Sequence, residues 1–159
     1  MNALPRAAAV LFALMAASLT GTVPAQAMVM ANTIVVSNTG STNFIGYRLL
    51  IAPGGQVRYV TGDGPGNSLL PKPMLRRLKR DVAAASPLSH LPEPRVCMKP
   101  MSFGTSTFVA LGGEVSPDLT CPANRAARVL KNDVAKIVAH LRIRNVARAS
   151  GTQLPPQNF

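Results

Sequence analysis

The sequence predicts an α+β fold: a small antiparallel sheet of two hairpins with two amphipathic helices packed on one face, in the order β-β-α-β-β-α. Two observations predict it. Short runs of strand-forming residues occur in two pairs, each joined by a turn containing Gly-Gly, and after each pair apolar residues recur at helical spacing. A hairpin pairs antiparallel, and two helices with one apolar stripe each are enough to cover one side of a sheet that size.

Each element has its own local reason. Residues 28–42 contain the β-branched run Thr33-Ile34-Val35-Val36 among Asn, Ser, Thr and Gly, which fits either an N-terminal arm or a fifth strand at the sheet edge. From Phe44 to Ala52 the chain alternates: Tyr47, Leu49 and Ile51 share one face, and Arg48, Leu50 and Ala52 the other. Pro53-Gly54-Gly55-Gln56 is a turn, and Val57 to Thr61 returns as the second strand with Val57, Tyr59 and Thr61 on one side. Residues 62–68, Gly-Asp-Gly-Pro-Gly-Asn-Ser, read as a flexible connector.

Pro71 and Pro73 sit where a first helical turn tolerates proline. Leu75, Leu78 and Val82 then form one stripe, with Ala83, Ala84 and Ala85 as good helix formers, until Ser86-Pro87 stops the run. Leu88 and Leu91 are expected to plug the core. Pro87, Pro92, Pro94 and Pro100 mark an irregular, extended passage around Cys97. Thr105 to Leu111, the turn Gly112-Gly113 and Glu114 to Ser116 make the second hairpin. After Pro122, the residues Ala127, Leu130, Val134, Ile137, Val138 and Leu141 predict the second helix. On the uncovered side of the sheet Arg48 and Arg58 are expected beside Leu50 and Val60, a mixture that suits a contact surface.

The first 27 residues read as an export address. Arg6 is the positive leader, Ala7 to Leu19 are an apolar run too short to span a bilayer, and Ala25-Gln26-Ala27 is a small-x-small cleavage pattern. The remainder divides into the arm or strand at 28–42, one domain at 43–145 and a disordered tail at 146–159. Export makes the periplasm or the medium the expected location. Both cysteines, Cys97 and Cys121, fall in the exported part, and an even count there predicts one disulfide.

The formal net charge of +11 favours anionic partners: an envelope polymer, a lipid headgroup or an acidic protein. Lys72, Arg76, Arg77, Lys79 and Arg80 form the densest cluster, and Arg128 and Lys131 add charge on the second helix; these seven are the anion-binding candidates. No tryptophan is present and no aromatic residue lies in the first helix, so no specific nucleic-acid motif is predicted.

Catalytic chemistry finds little support. The glycine connector lacks the third glycine of a dinucleotide loop, which Asn67 replaces, and lacks a Gly-Lys-Ser/Thr. Cysteines held in a disulfide cannot act as nucleophiles, and no Gly-x-Ser-x-Gly elbow surrounds the hydroxyl-rich residues 102–107. His90 and His140 lie far apart with no paired carboxylates at ligand spacing, so neither a metal site nor a cofactor is predicted. Asp63 and Asp118 read as isolated turn residues.

The pattern Cys97-Met98-Lys99, Ser102 to Thr107 and Ser116-Pro117-Asp118-Leu119-Thr120-Cys121 resembles small exported bacterial proteins of unknown function. That resemblance implies a joined cysteine pair and an exported location, and no activity. The function expected from the sequence is therefore a non-enzymatic binding module for an anionic partner. Two other readings stand beside it: a protease inhibitor-like protein presenting a loop near the Cys97 to Cys121 bridge, and a small hydrolase using the hydroxyl-rich hairpin.

Overall fold

The computed structural model describes residues 32–100, 102 and 104–144; the export address predicted at 1–27 and the tail predicted from residue 146 lie outside them. Six strands form one antiparallel sheet: β1 (Ile34–Asn38), β2 (Tyr47–Ile51), β3 (Gln56–Thr61), β4 (Gly64–Leu69), β5 (Thr107–Leu111) and β6 (Glu114–Val115). They lie side by side in the order β4-β3-β2-β1-β5-β6. Two helices, α1 (Lys72–Ala85) and α2 (Arg125–His140), cover one face, and a single 3₁₀ turn, Leu88–His90, follows α1.

The α+β class, the two helices and both predicted hairpins are present; the strand count and order differ in two places. Residues 34–38 are neither an arm nor an edge. They form the central strand β1, paired with β2 on one side and β5 on the other. Val36 is fully buried there, opposite Leu49 and Val109, so β1 joins the two hairpins into one sheet and belongs to the domain.

The predicted connector at 62–68 is mostly strand β4. Gly62-Asp63 makes the two-residue turn that returns the chain along β3. Glycine and proline argue against a strand by propensity, but β4 lies at the sheet edge, where a residue without an N–H is tolerated. Tyr59 explains Gly66 opposite it: a Cβ on Gly66 would fall 2.3 Å from the Tyr59 ring, which lies over the bare backbone.

The core lies between sheet and helices. Val36, Leu49, Ile51, Val57 and Val109 project from the sheet, and Leu75, Leu78 and Val82 of α1 and Leu130, Val134 and Ile137 of α2 project onto them. Leu88 and Leu91 close one end, as expected, with the Leu88 N–H donating to Glu114 Oε2 at 2.8 Å. The start of α2 is set by Asn124, three residues short of Ala127, whose backbone N–H donates to Asn124 Oδ1 at 2.8 Å; Pro122 stands ahead of the helix.

Candidate anion-binding surface

The helix layer carries most of the positive charge, and its geometry decides which charges face outward. Between them α1 and α2 hold nine Lys and Arg residues against two carboxylates, Asp81 and Asp133. Lys72, Arg76 and Arg80 recur every fourth residue along the exposed side of α1, opposite the buried stripe of Leu75, Leu78 and Val82. Arg128 is exposed on α2.

Both carboxylates turn inward. Asp133 is only 3% exposed and lies at the junction of the helices, where Arg77 Nε reaches to 2.8 Å from its Oδ1. The contact is an ion pair without aligned hydrogen-bond geometry. Asp81 is also largely covered; Arg80 Nε donates to its Oδ1 at 2.9 Å, and Arg77 stands 3.6 Å from its Oδ2. Burial pushes the Asp133 carboxyl above its ordinary pKa and the neighbouring Asp81 adds to the rise, whereas Arg80 holds Asp81 below it.

The seven predicted anion-binding residues are thus spread over the layer. Arg77 faces the junction and Arg80 is shared with Asp81. Lys79 Nζ donates to the Pro53 carbonyl at 2.8 Å, over the turn between β2 and β3, and Lys131 Nζ donates to the Thr120 carbonyl at 2.8 Å. Neither acceptor is a carboxylate, and both residues stand at the margins of the surface.

The opposite face of the sheet is arranged as the alternation predicts. One row crosses all six strands as Asn67, Arg58, Leu50, Val35, Ala110 and Val115. The adjacent row is Pro65, Val60, Arg48, Ser37 and Phe108. No carboxylate belongs to either row. Arg48 and Arg58 thus share this face with Leu50, Val60, Ser37 and Asn67, and Val60 and Val115 are strongly exposed.

The loop side holds a second polar cluster, and here Asp118 departs from the isolated turn residue expected. Its Oδ1 accepts from the backbone N–H groups of Thr107 at 3.1 Å and Thr120 at 2.9 Å, and its Oδ2 pairs with Lys99 Nζ. Burial alone would raise the Asp118 pKa, but the Lys99 ammonium and those two N–H donors overcome it and hold the carboxyl at about 2. Three of the hydroxyls read as a possible hydrolase site accept hydrogen bonds: Asn38 Nδ2 donates to Thr105 Oγ1 and Thr107 Oγ1, and Lys99 Nζ donates to Ser106 Oγ at 2.7 Å.

Cys97 and Cys121 are bonded, with Cα atoms 5.7 Å apart, which leaves no free thiol among the described residues. No three His, Cys, Asp or Glu residues gather at metal-binding distance among the described residues, and no described helix is long and apolar enough to cross a membrane. No protein-family model matches the chain, and no curated protein matches it.

Asp133 is the residue the sequence reading missed, although its position carried a signal. It lies three residues after Leu130 and four before Ile137, on the apolar stripe itself. An acid placed there must be buried and must find a cation on whatever element packs against it.

Proposed function

We propose that this protein is an exported, non-enzymatic binding module that holds an anionic envelope component or an acidic protein against the outer surface of its two helices. The observation that carries this reading is the asymmetry of the helix layer: nine cations, and both carboxylates turned toward the junction. The outward side is positive along its length, a field that attracts polyanions at long range and is screened by salt. Its residues are long, flexible side chains on two rigid helices, suited to a repetitive charged surface more than to one small ligand.

Vesicles of anionic lipid and a polyglutamate peptide are the probes that test it, each compared with zwitterionic vesicles. Binding is expected to weaken steeply between low and moderate salt. Replacing Lys72, Arg76 and Arg128 together with Ala removes outward charges that hold no internal carboxylate. At about 1 kcal/mol per basic residue near an anionic surface, that weakens binding by roughly 100-fold. Binding that ignores salt, or survives the triple substitution, rejects the proposal.

A further inference from the structure

Among the described residues, the most exposed large apolar side chain is not on the sheet or the helices. Met98 is 91% exposed and Val96, two residues earlier, is 76% exposed, in a stretch of irregular chain running from Pro92 to Pro100. Between and after them, the side chains of Cys97 and Lys99 turn toward the body of the protein. Cys97 is bonded to Cys121 just ahead of α2, and Lys99 pairs with Asp118 and donates to Ser106 Oγ. From Val96 to Lys99 outward and inward residues therefore alternate, with the period of two of a strand.

Both neighbours of Met98 are anchored by their side chains. The disulfide holds the position before it, and the Lys99 to Asp118 pair holds the position after it. Asp118 is itself fixed by the N–H groups of Thr107 and Thr120. Beyond Lys99, the Pro100 carbonyl accepts from Gly104 N–H at 2.6 Å. Exposing an unbranched apolar side chain of this size is unfavourable in water. Anchoring on either side removes most of the ordering entropy that a flexible loop would lose when it docks.

From this geometry we infer that residues Arg95 to Lys99 form a substrate-like inhibitory loop, which lays Met98 into the apolar primary pocket of a secreted endopeptidase. Val96 fills a second pocket on the same side. Alternate side chains directed outward are what a strand-binding cleft takes from its ligand. The anchors distinguish an inhibitor from a substrate. They hold Cys97 and Lys99, on either side of Met98, to the protein body, so the loop resists the distortion that cleavage demands and keeps its ends together. The inference uses a different surface from the helix layer and does not depend on the anionic-partner reading.

The test uses the oxidised chain with subtilisin and chymotrypsin, whose primary pockets are apolar, and trypsin, whose pocket takes a cation. The unmodified protein is expected to inhibit at least one of the first two and to spare trypsin. Met98→Gly is expected to weaken inhibition by about 100-fold, the loss seen when a central anchor is truncated. Met98→Lys is expected to transfer inhibition to trypsin, a gain that a misfolded variant cannot produce. No inhibition of subtilisin or chymotrypsin by the intact disulfide-bonded protein overturns the inference. So does cleavage after Met98 as fast as in a peptide of the same sequence, or inhibition that Met98→Gly leaves unchanged.

Discussion

Arg77 of the first helix reaches 2.8 Å from the carboxylate of Asp133 on the second, and that carboxylate is buried between the helices. The pair fixes how the helix layer closes, because an acid at that depth needs a cation from the facing element. It also withdraws Arg77 from the outward charges among which the sequence placed it.

Arg77→Ala is expected to destabilise the protein by about 1–3 kcal/mol in urea or thermal unfolding, since it leaves the Asp133 carboxylate buried without its cation. The double variant carrying Asp133→Asn as well is expected to recover more than half of that loss. Equal stability of Arg77→Ala and the unmodified protein shows that the pair contributes nothing to closure.

Asp118 makes stability depend on acid in a defined window. Its carboxyl titrates at about 2 in the folded protein, below the ordinary value near 3.8 that it takes when unfolded. The unfolded chain therefore binds the proton more tightly, so the contribution is fully present above about pH 4 and disappears as the pH falls through about 2. With solvent screening of a part-exposed pair, roughly 1 kcal/mol is at stake. Unfolding of Asp118→Asn compared with the unmodified protein at pH 6 and pH 2 measures it: the difference present at pH 6 is expected to shrink at pH 2.

Replacing both Cys97 and Cys121 with Ser opens a loop of 24 residues' separation. The loop-entropy model puts the cost at about 3.5 kcal/mol, a large share of the stability of a small domain. The midpoint of urea unfolding is expected to fall accordingly. A double variant as stable as the oxidised protein sinks the structural role of the bridge.

Gly66 and Tyr59 are expected to be coupled. Gly66→Ala drives a methyl group into the Tyr59 ring and is expected to cost about 1–3 kcal/mol. In a Tyr59→Ala background the same change is expected to cost much less, and a double-mutant cycle reads the difference. Additive costs mean that the ring does not constrain the glycine.

Much of this architecture is written in local patterns. The alternation of Tyr47, Leu49 and Ile51 and the stripes of Leu75, Leu78 and Val82 and of Ala127, Leu130 and Val134 each name an element and its buried side without reference to any other. The same patterns put Arg48, Leu50, Arg58 and Val60 together on the uncovered sheet face, where they lie. The even cysteine count, taken with the expected export, predicted the bridge that is present.

Tertiary structure decided what local pattern cannot encode. The residues from Ile34 to Asn38 look alike as arm, edge or centre, and only the arrival of β5 on their second side makes them central. Gly64 to Leu69 becomes a strand because β3 offers its edge and Tyr59 covers the bare backbone. Asp118 meets Lys99 across 19 residues of chain, and Asp133 meets Arg77 across the helix junction. Periodicity records which side of an element is apolar, because burial selects side chains one element at a time. Partners brought together by closure leave no period in the sequence, and it is those partners that determine which charges remain turned to solvent.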